Sequence, residues 1–143
     1  MEQALLGSST LEVSRVGLGC NNFGRRLDLP ATRAVIDAAI EAGVTFLDTA
    51  DIYGSGESER FIGEALAGRG HEVVLATKFG NERRPDGGWI GINGRPEYVR
   101  VACDARYSER RPVRGLTRTS GCTAPFNFSS SAAENSKPSV CRE

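Results

Sequence analysis

Asp48 and Tyr53 stand five residues apart in LDTADIYG, at the end of one apolar run, and Lys78 ends the next apolar run in VVLATK. An acid, a phenol and an ammonium at successive strand ends form a proton-transfer set. A Tyr hydroxyl, with a reference pKa of about 10, is a weak proton donor at neutral pH, and a nearby ammonium favours its ionised form. Lys78 can supply that field. Asp48, as an anion, can hold Lys78 in place and keep it from turning into solvent. Taken singly, Asp48 reads as a loop cap and Lys78 as a solvated strand-end residue. The three together form a redox-enzyme signature.

Such residues need a scaffold that gathers strand ends on one face. Arg15–Cys20 (RVGLGC) is a short apolar run followed by a polar loop, Asn21–Asp28, and a helical pattern from about Pro30 to Ala42 with Gly43 beyond it. Val44–Leu47 leads into Asp48. After the loop Thr49–Glu57, Ser58 is expected to cap a helix lined by Phe61, Ile62, Ala65 and Leu66, with Gly68 closing it. Val73–Ala76 leads into Thr77 and Lys78. A long loop, Phe79–Arg95, then precedes a helix start at Pro96. The strand ends Cys20, Asp48 and Lys78 are 28 and 30 residues apart, close to one strand-helix unit of a parallel α/β fold. Unalternating apolar strands suit a sheet buried on both faces. Before them, Gln3–Val13 reads as a hairpin around the GSS turn.

GLGCNNFG, DTADIYGSGESERFIGEAL and VVLATKFG resemble the first three strand-helix units of an aldo-keto reductase, and GINGRPEYVRVACDA is similar to its third loop and helix. The similarity spans about residues 9–105. It implies a (β/α)8 TIM barrel that binds NADPH and reduces an aldehyde or ketone, so a small carbonyl substrate is expected. Asp48, Tyr53 and Lys78 match three members of the family's catalytic tetrad, with Tyr53 as proton donor. Gly19, Cys20 and Asn21 match the loop near the nicotinamide ribose, which Asp48 also borders. The fourth tetrad member is a His after the fourth strand, where this chain reads RYSERRPVRG. The only His, His71, precedes the third strand and belongs at the opposite end.

Residues 1–105 are therefore expected to form the N-terminal part of such a barrel, and residues 106–143 a disordered tail foreign to it. The charge supports the division: the first part carries 11 basic and 15 acidic side chains, net −4, and the second 7 and 3, net +4. Of the 38 tail residues only Val113, Leu116 and Val140 are aliphatic beyond Ala, and 17 are Ser, Thr, Gly, Pro or Asn. So little apolar area does not offset the roughly 1–2 kcal/mol per residue lost on ordering the backbone. A frame change, a premature stop or a mispredicted coding region near Ala105 would each produce that junction. A closed barrel takes about 250 residues, so the chain by itself is expected to lack turnover.

The first ten residues have no basic n-region, and no apolar run approaches the roughly 18 residues of a membrane span, so the chain reads as cytoplasmic. Cys20, Cys103, Cys122 and Cys141 are scattered without a C-x-x-C pair, which indicates neither zinc nor a disulfide framework. Cys20 reads as a small buried residue, His71 as an exposed turn residue and Trp89 as a packing residue over the strand ends or a wall of a substrate pocket, with packing preferred. Two rival functions remain. One is a partial barrel that pairs with a second chain; the other is nucleic-acid association through the basic tail, which lacks the aromatic interleaving such binding needs.

Overall fold

The computed structural model describes residues 1–84, 86–107, 114–119 and 122–126. Strands β1 (Gln3–Leu5) and β2 (Glu12–Ser14) form the expected antiparallel hairpin, with Ala4 opposite Val13. It is fastened at the base of the sheet, where Ser14 Oγ accepts from the N–H groups of Thr45 and Phe46 at 2.9 and 3.2 Å. Leu11 and Val13 are buried there.

Three strands follow in parallel: β3 (Gly17–Gly19), β4 (Phe46–Asp48) and β5 (Val74–Phe79). Gly17, Phe46 and Val74 lie abreast, and so do Gly19, Asp48 and Ala76. Helix α1 (Leu29–Glu41) begins where Asp28 accepts a hydrogen bond from Ala31 N–H at 2.9 Å, with Pro30 in the first turn where its missing N–H costs nothing. It ends before Gly43, whose φ of +79° only glycine adopts without strain. Helix α2 (Glu57–Ala65) turns Phe61, Ile62 and Ala65 inward, and Leu66 follows them. Ile36 of α1 joins Ile62, Leu66, Leu47, Val73 and Leu75 in one core between helices and sheet. Each large aliphatic side chain buried this way contributes about 1.5–3 kcal/mol.

The structure corrects three sequence expectations. Ser58 does not cap α2: the N-cap is Gly56, and Ser58 lies one residue inside the helix, fully buried. The stretch Phe79–Arg95 is not a plain loop, because β6 (Asn81–Arg83) and β7 (Trp89–Ile92) pair antiparallel within it. Trp89 does not pack: it is 59% exposed, with Ile90 and Ile92 exposed beside it. A two-stranded ribbon has two faces and little to cover them.

Helix α3 (Pro96–Tyr107) starts at the expected proline and takes in residues 106 and 107. Beyond α3, two strands are described within the segment expected to be a disordered tail, and the others of its residues lie outside the described residues. Strand β8 (Arg114–Thr119) runs parallel to β5, and β9 (Cys122–Phe126) runs antiparallel to β8. The exposed N–H and C=O groups of a β5 edge accept a strand whatever its side chains, and that main-chain demand is invisible to an aliphatic count. Pro125 falls in β9, the last strand of the order β3-β4-β5-β8-β9, where a missing donor is tolerated. The described residues thus form an open part of an α/β barrel. None of their helices is long and apolar enough to cross a membrane.

Candidate active site

Asp48, Tyr53 and Lys78 come together past the C-terminal ends of β4 and β5, the face on which parallel α/β barrels carry their chemistry. Asp48 lies opposite Ala76, so Lys78, two residues on, shares its side of the sheet. Lys78 Nζ donates to both carboxylate oxygens of Asp48, at 2.7 and 2.8 Å. The same nitrogen lies 5.3 Å from the centroid of the Tyr53 ring, a cation-π distance. Lys78 and Asp48 are 34% and 47% exposed, so the site is open to solvent yet sheltered on one side.

The loop that presents Tyr53 is unusual in its backbone. A 3-10 turn runs from Tyr53 to Gly56, and Gly54, Ser55 and Gly56 all have positive φ. Gly54 fits against the main chain of Phe23 and Gly24, where a Cβ would meet carbonyl and carbon atoms at 3.0 Å. The YGSG string therefore lets the loop turn sharply and lean on the loop after β3.

Of the three residues expected near a cofactor, Gly19 and Asn21 are exposed, while Cys20 is fully buried. A Cβ at Gly19 would meet nothing within 4 Å, which leaves open space beside Asp48. The Cys20 thiol is directed to the Leu18 carbonyl at 3.5 Å, and its N–H donates to Asp48 O at 2.9 Å. Burial pushes the thiol up from 9.0 to about 12, with the Asp48 charge adding to the effect. It is no nucleophile at neutral pH, as the sequence leads one to expect. His71 is exposed in the turn Gly70–Glu72 before β5, at the other end of the strand. The strand beside β5 pairs Arg118 with Lys78, so no His answers Lys78 across that ladder.

Sequence reasoning missed a buried polar layer behind the site. Ser58 Oγ donates to Cys20 O at 2.9 Å and lies 2.9 Å from Thr49 Oγ1; its single proton being used, Thr49 is the donor of that second bond. Thr77 donates to the buried Glu59 at 2.7 Å, tying α2 to the strand residue before Lys78. Asp51 was missed too, and it bonds the segment after Lys78. The second Asp of DTAD and the Ser-Glu pair at the start of α2 were the available signals, but polar residues at a helix start read equally well as solvated.

The Aldo/keto reductase family profile matches residues 15–108. YqkF, an oxidoreductase of Bacillus subtilis (strain 168), is 44% identical over 91 residues, 62% of this chain and 29% of that protein. The aldo-keto reductase AKR11C1 from Bacillus halodurans, solved in its holo form, superposes with a TM-score of 0.68 at 38% identity, covering 76% of this chain and 36% of its own. PA4992 of Pseudomonas aeruginosa, assigned to the aldo-keto reductases, gives 0.68 at 28% identity over 80% and 46%. The chain spans less than half the length of each of these relatives. The profile covers more than half of the chain, and the chain belongs to the aldo/keto reductase family.

Proposed function

We propose that residues 1–105 carry the proton-donating half of an NADPH-dependent reductase of aldehydes or ketones. The observation that carries this reading is the Asp48–Lys78 pair set beside the Tyr53 ring at the strand ends. Tyr53 gives its phenolic proton to the carbonyl oxygen of the substrate as that oxygen gains electron density. Lys78 stabilises the phenolate left behind, and Asp48 keeps the ammonium aimed.

The residues around this trio fit a nicotinamide cofactor. Gly19 opens a space without a side chain, exposed Asn21 offers an amide, and Asp48 offers a carboxylate facing solvent. When bound, the cofactor supplies the hydride. Cys20, sealed beneath, fixes the loop rather than touching a ligand by its side chain.

The test fuses residues 1–105 to the remaining five strand-helix units of a close relative. The hybrid is expected to reduce small aldehydes with NADPH, and Tyr53→Phe to lower turnover on the order of 100- to 10,000-fold. The full chain by itself, with an open sheet and no His beside Lys78, is expected to show no carbonyl-dependent NADPH oxidation. A folded, cofactor-binding hybrid that keeps near-normal turnover after Tyr53→Phe overturns the assignment.

A further inference from the structure

We infer that Asp51 is the positioning residue that sets the Tyr53 ring against Lys78, a role that rests on the reading of Tyr53 as proton donor. Asp51 stands two residues before Tyr53 and reaches over to the chain just past Lys78. Its Oδ2 accepts from the N–H groups of Gly80 and Asn81 at 3.1 and 3.3 Å, and its Oδ1 from Asn81 Nδ2 at 3.2 Å. In return, Asp51 N–H donates to Lys78 O at 3.0 Å. Hydrogen bonds in both directions thus join the loop that carries the phenol to the strand end that carries the ammonium.

Thr49 N–H also donates to Ala76 O of β5 at 2.8 Å, four residues before the ring, and the bonds nearer the ring are local. Tyr53 N–H donates to Ala50 O at 3.1 Å and Ser55 N–H to Ile52 O at 3.2 Å, and neither refers the ring to β5. The Asp48 carboxylate holds the head of Lys78. Asp51 supplies the other half: it fixes where Tyr53 begins relative to where Lys78 ends. Because its acceptors are ionised, these bonds are about twice as strong as neutral ones. A misplacement of about 1 Å at a reacting group costs roughly 100-fold in rate, so such a clamp has a catalytic consequence without touching substrate.

The experiment uses the full chain, labelled for NMR, as wild type, Asp51→Ala and Asp51→Asn. Wild type is expected to show contacts between the Tyr53 ring protons and the Lys78 ε-methylene, a ring-current shift of that methylene, and slow exchange of the Gly80 and Asn81 amides. In Asp51→Ala the ring contacts and the shift disappear, and both amides exchange at least about tenfold faster. Asp51→Asn, nearly the same shape but without the charge, gives intermediate values and serves as the test where the alanine variant does not fold. The inference is overturned if the folded variant keeps the wild-type Tyr53–Lys78 contacts, whatever the amides do. Loss of folding in both variants overturns it as well, since Asp51 is then a requirement of the fold. In the hybrid reductase, Asp51→Ala is expected to lower kcat about 100-fold with KM for NADPH little changed. Displaced ring contacts with undiminished kcat would refute the proton-donor reading of Tyr53 and leave the positioning intact.

Discussion

Asp48 and Lys78, 30 residues apart in sequence, meet across a single strand spacing, the ammonium bonded to both carboxylate oxygens at 2.7 and 2.8 Å. With the two side chains 34% and 47% exposed, solvent screens much of their attraction. A pair in that setting contributes about 1 kcal/mol or less to stability. Its value lies in direction, since it holds the ammonium beside the Tyr53 ring. Asp48→Asn is therefore expected to shift the urea unfolding free energy of the chain by no more than about 1 kcal/mol, while the hybrid reductase loses most of its turnover. A large stability loss would mean that the pair is a fold element.

Lys78→Met separates charge from bulk. In the hybrid, kcat is expected to fall by two to four orders of magnitude, with a far smaller change in the dissociation constant for NADPH, because the stem is kept and only the charge stabilising the Tyr53 oxyanion is lost. Steady-state kinetics beside fluorescence titration of the cofactor checks this. An equal loss in both would assign Lys78 to binding.

The hydroxyl layer beneath the site gives a stability prediction. Ser58→Ala takes one of two donors from the Cys20 carbonyl, which Phe23 N–H still reaches at 3.2 Å, and leaves the Thr49 hydroxyl without its acceptor in a place with no exposure to water. The expected cost is about 1–3 kcal/mol in a denaturant melt. A change below about 0.5 kcal/mol would show that the layer relaxes freely.

Gly54 is expected to tolerate no side chain. Its φ is +58°, and a Cβ would sit 3.0 Å from the main chain of Phe23 and Gly24. Gly54→Ala should cost roughly 1–2 kcal/mol from the left-handed backbone alone, and shift the Tyr53 loop off the loop after β3. Thermal melts and the Tyr53 ring contacts in NMR report the two effects separately.

Cys20 sets an alkaline limit. Its folded thiol is pushed up from 9.0 to about 12, first by burial and then by Asp48. A raised folded value means that the native state holds the proton more tightly than the unfolded chain. The contribution is whole below the unfolded value and is lost as pH climbs from about 9 towards 12. Under reducing conditions the melting temperature of wild type should fall more steeply between pH 8 and 10.5 than that of Cys20→Ala. Parallel slopes would remove Cys20 from the alkaline behaviour.

Much of this protein is written locally. The 28- and 30-residue spacing of Cys20, Asp48 and Lys78 reflects strand-helix units, and Pro30 and Gly43 mark α1 by main-chain chemistry that any reader of the sequence can apply. Strand-end residues of a parallel sheet gather on one face, so the meeting of Asp48, Tyr53 and Lys78 was legible. Ser58, Glu59, Thr77 and Asp51 were not, because a polar residue near a loop looks solvated until its long-range partner is known: Cys20 lies 38 residues from Ser58, and Asn81 lies 30 from Asp51. The strands β8 and β9 were likewise hidden, since edge pairing depends on main-chain groups that every sequence possesses. Residue types, periodicity and spacing determined which residues could form strands and helices and bring Asp48, Tyr53 and Lys78 to one face. Only the tertiary structure decided which buried hydroxyls and carboxylates hold that trio in register, because hydrogen bonds across 30 residues depend on distances that no local pattern encodes.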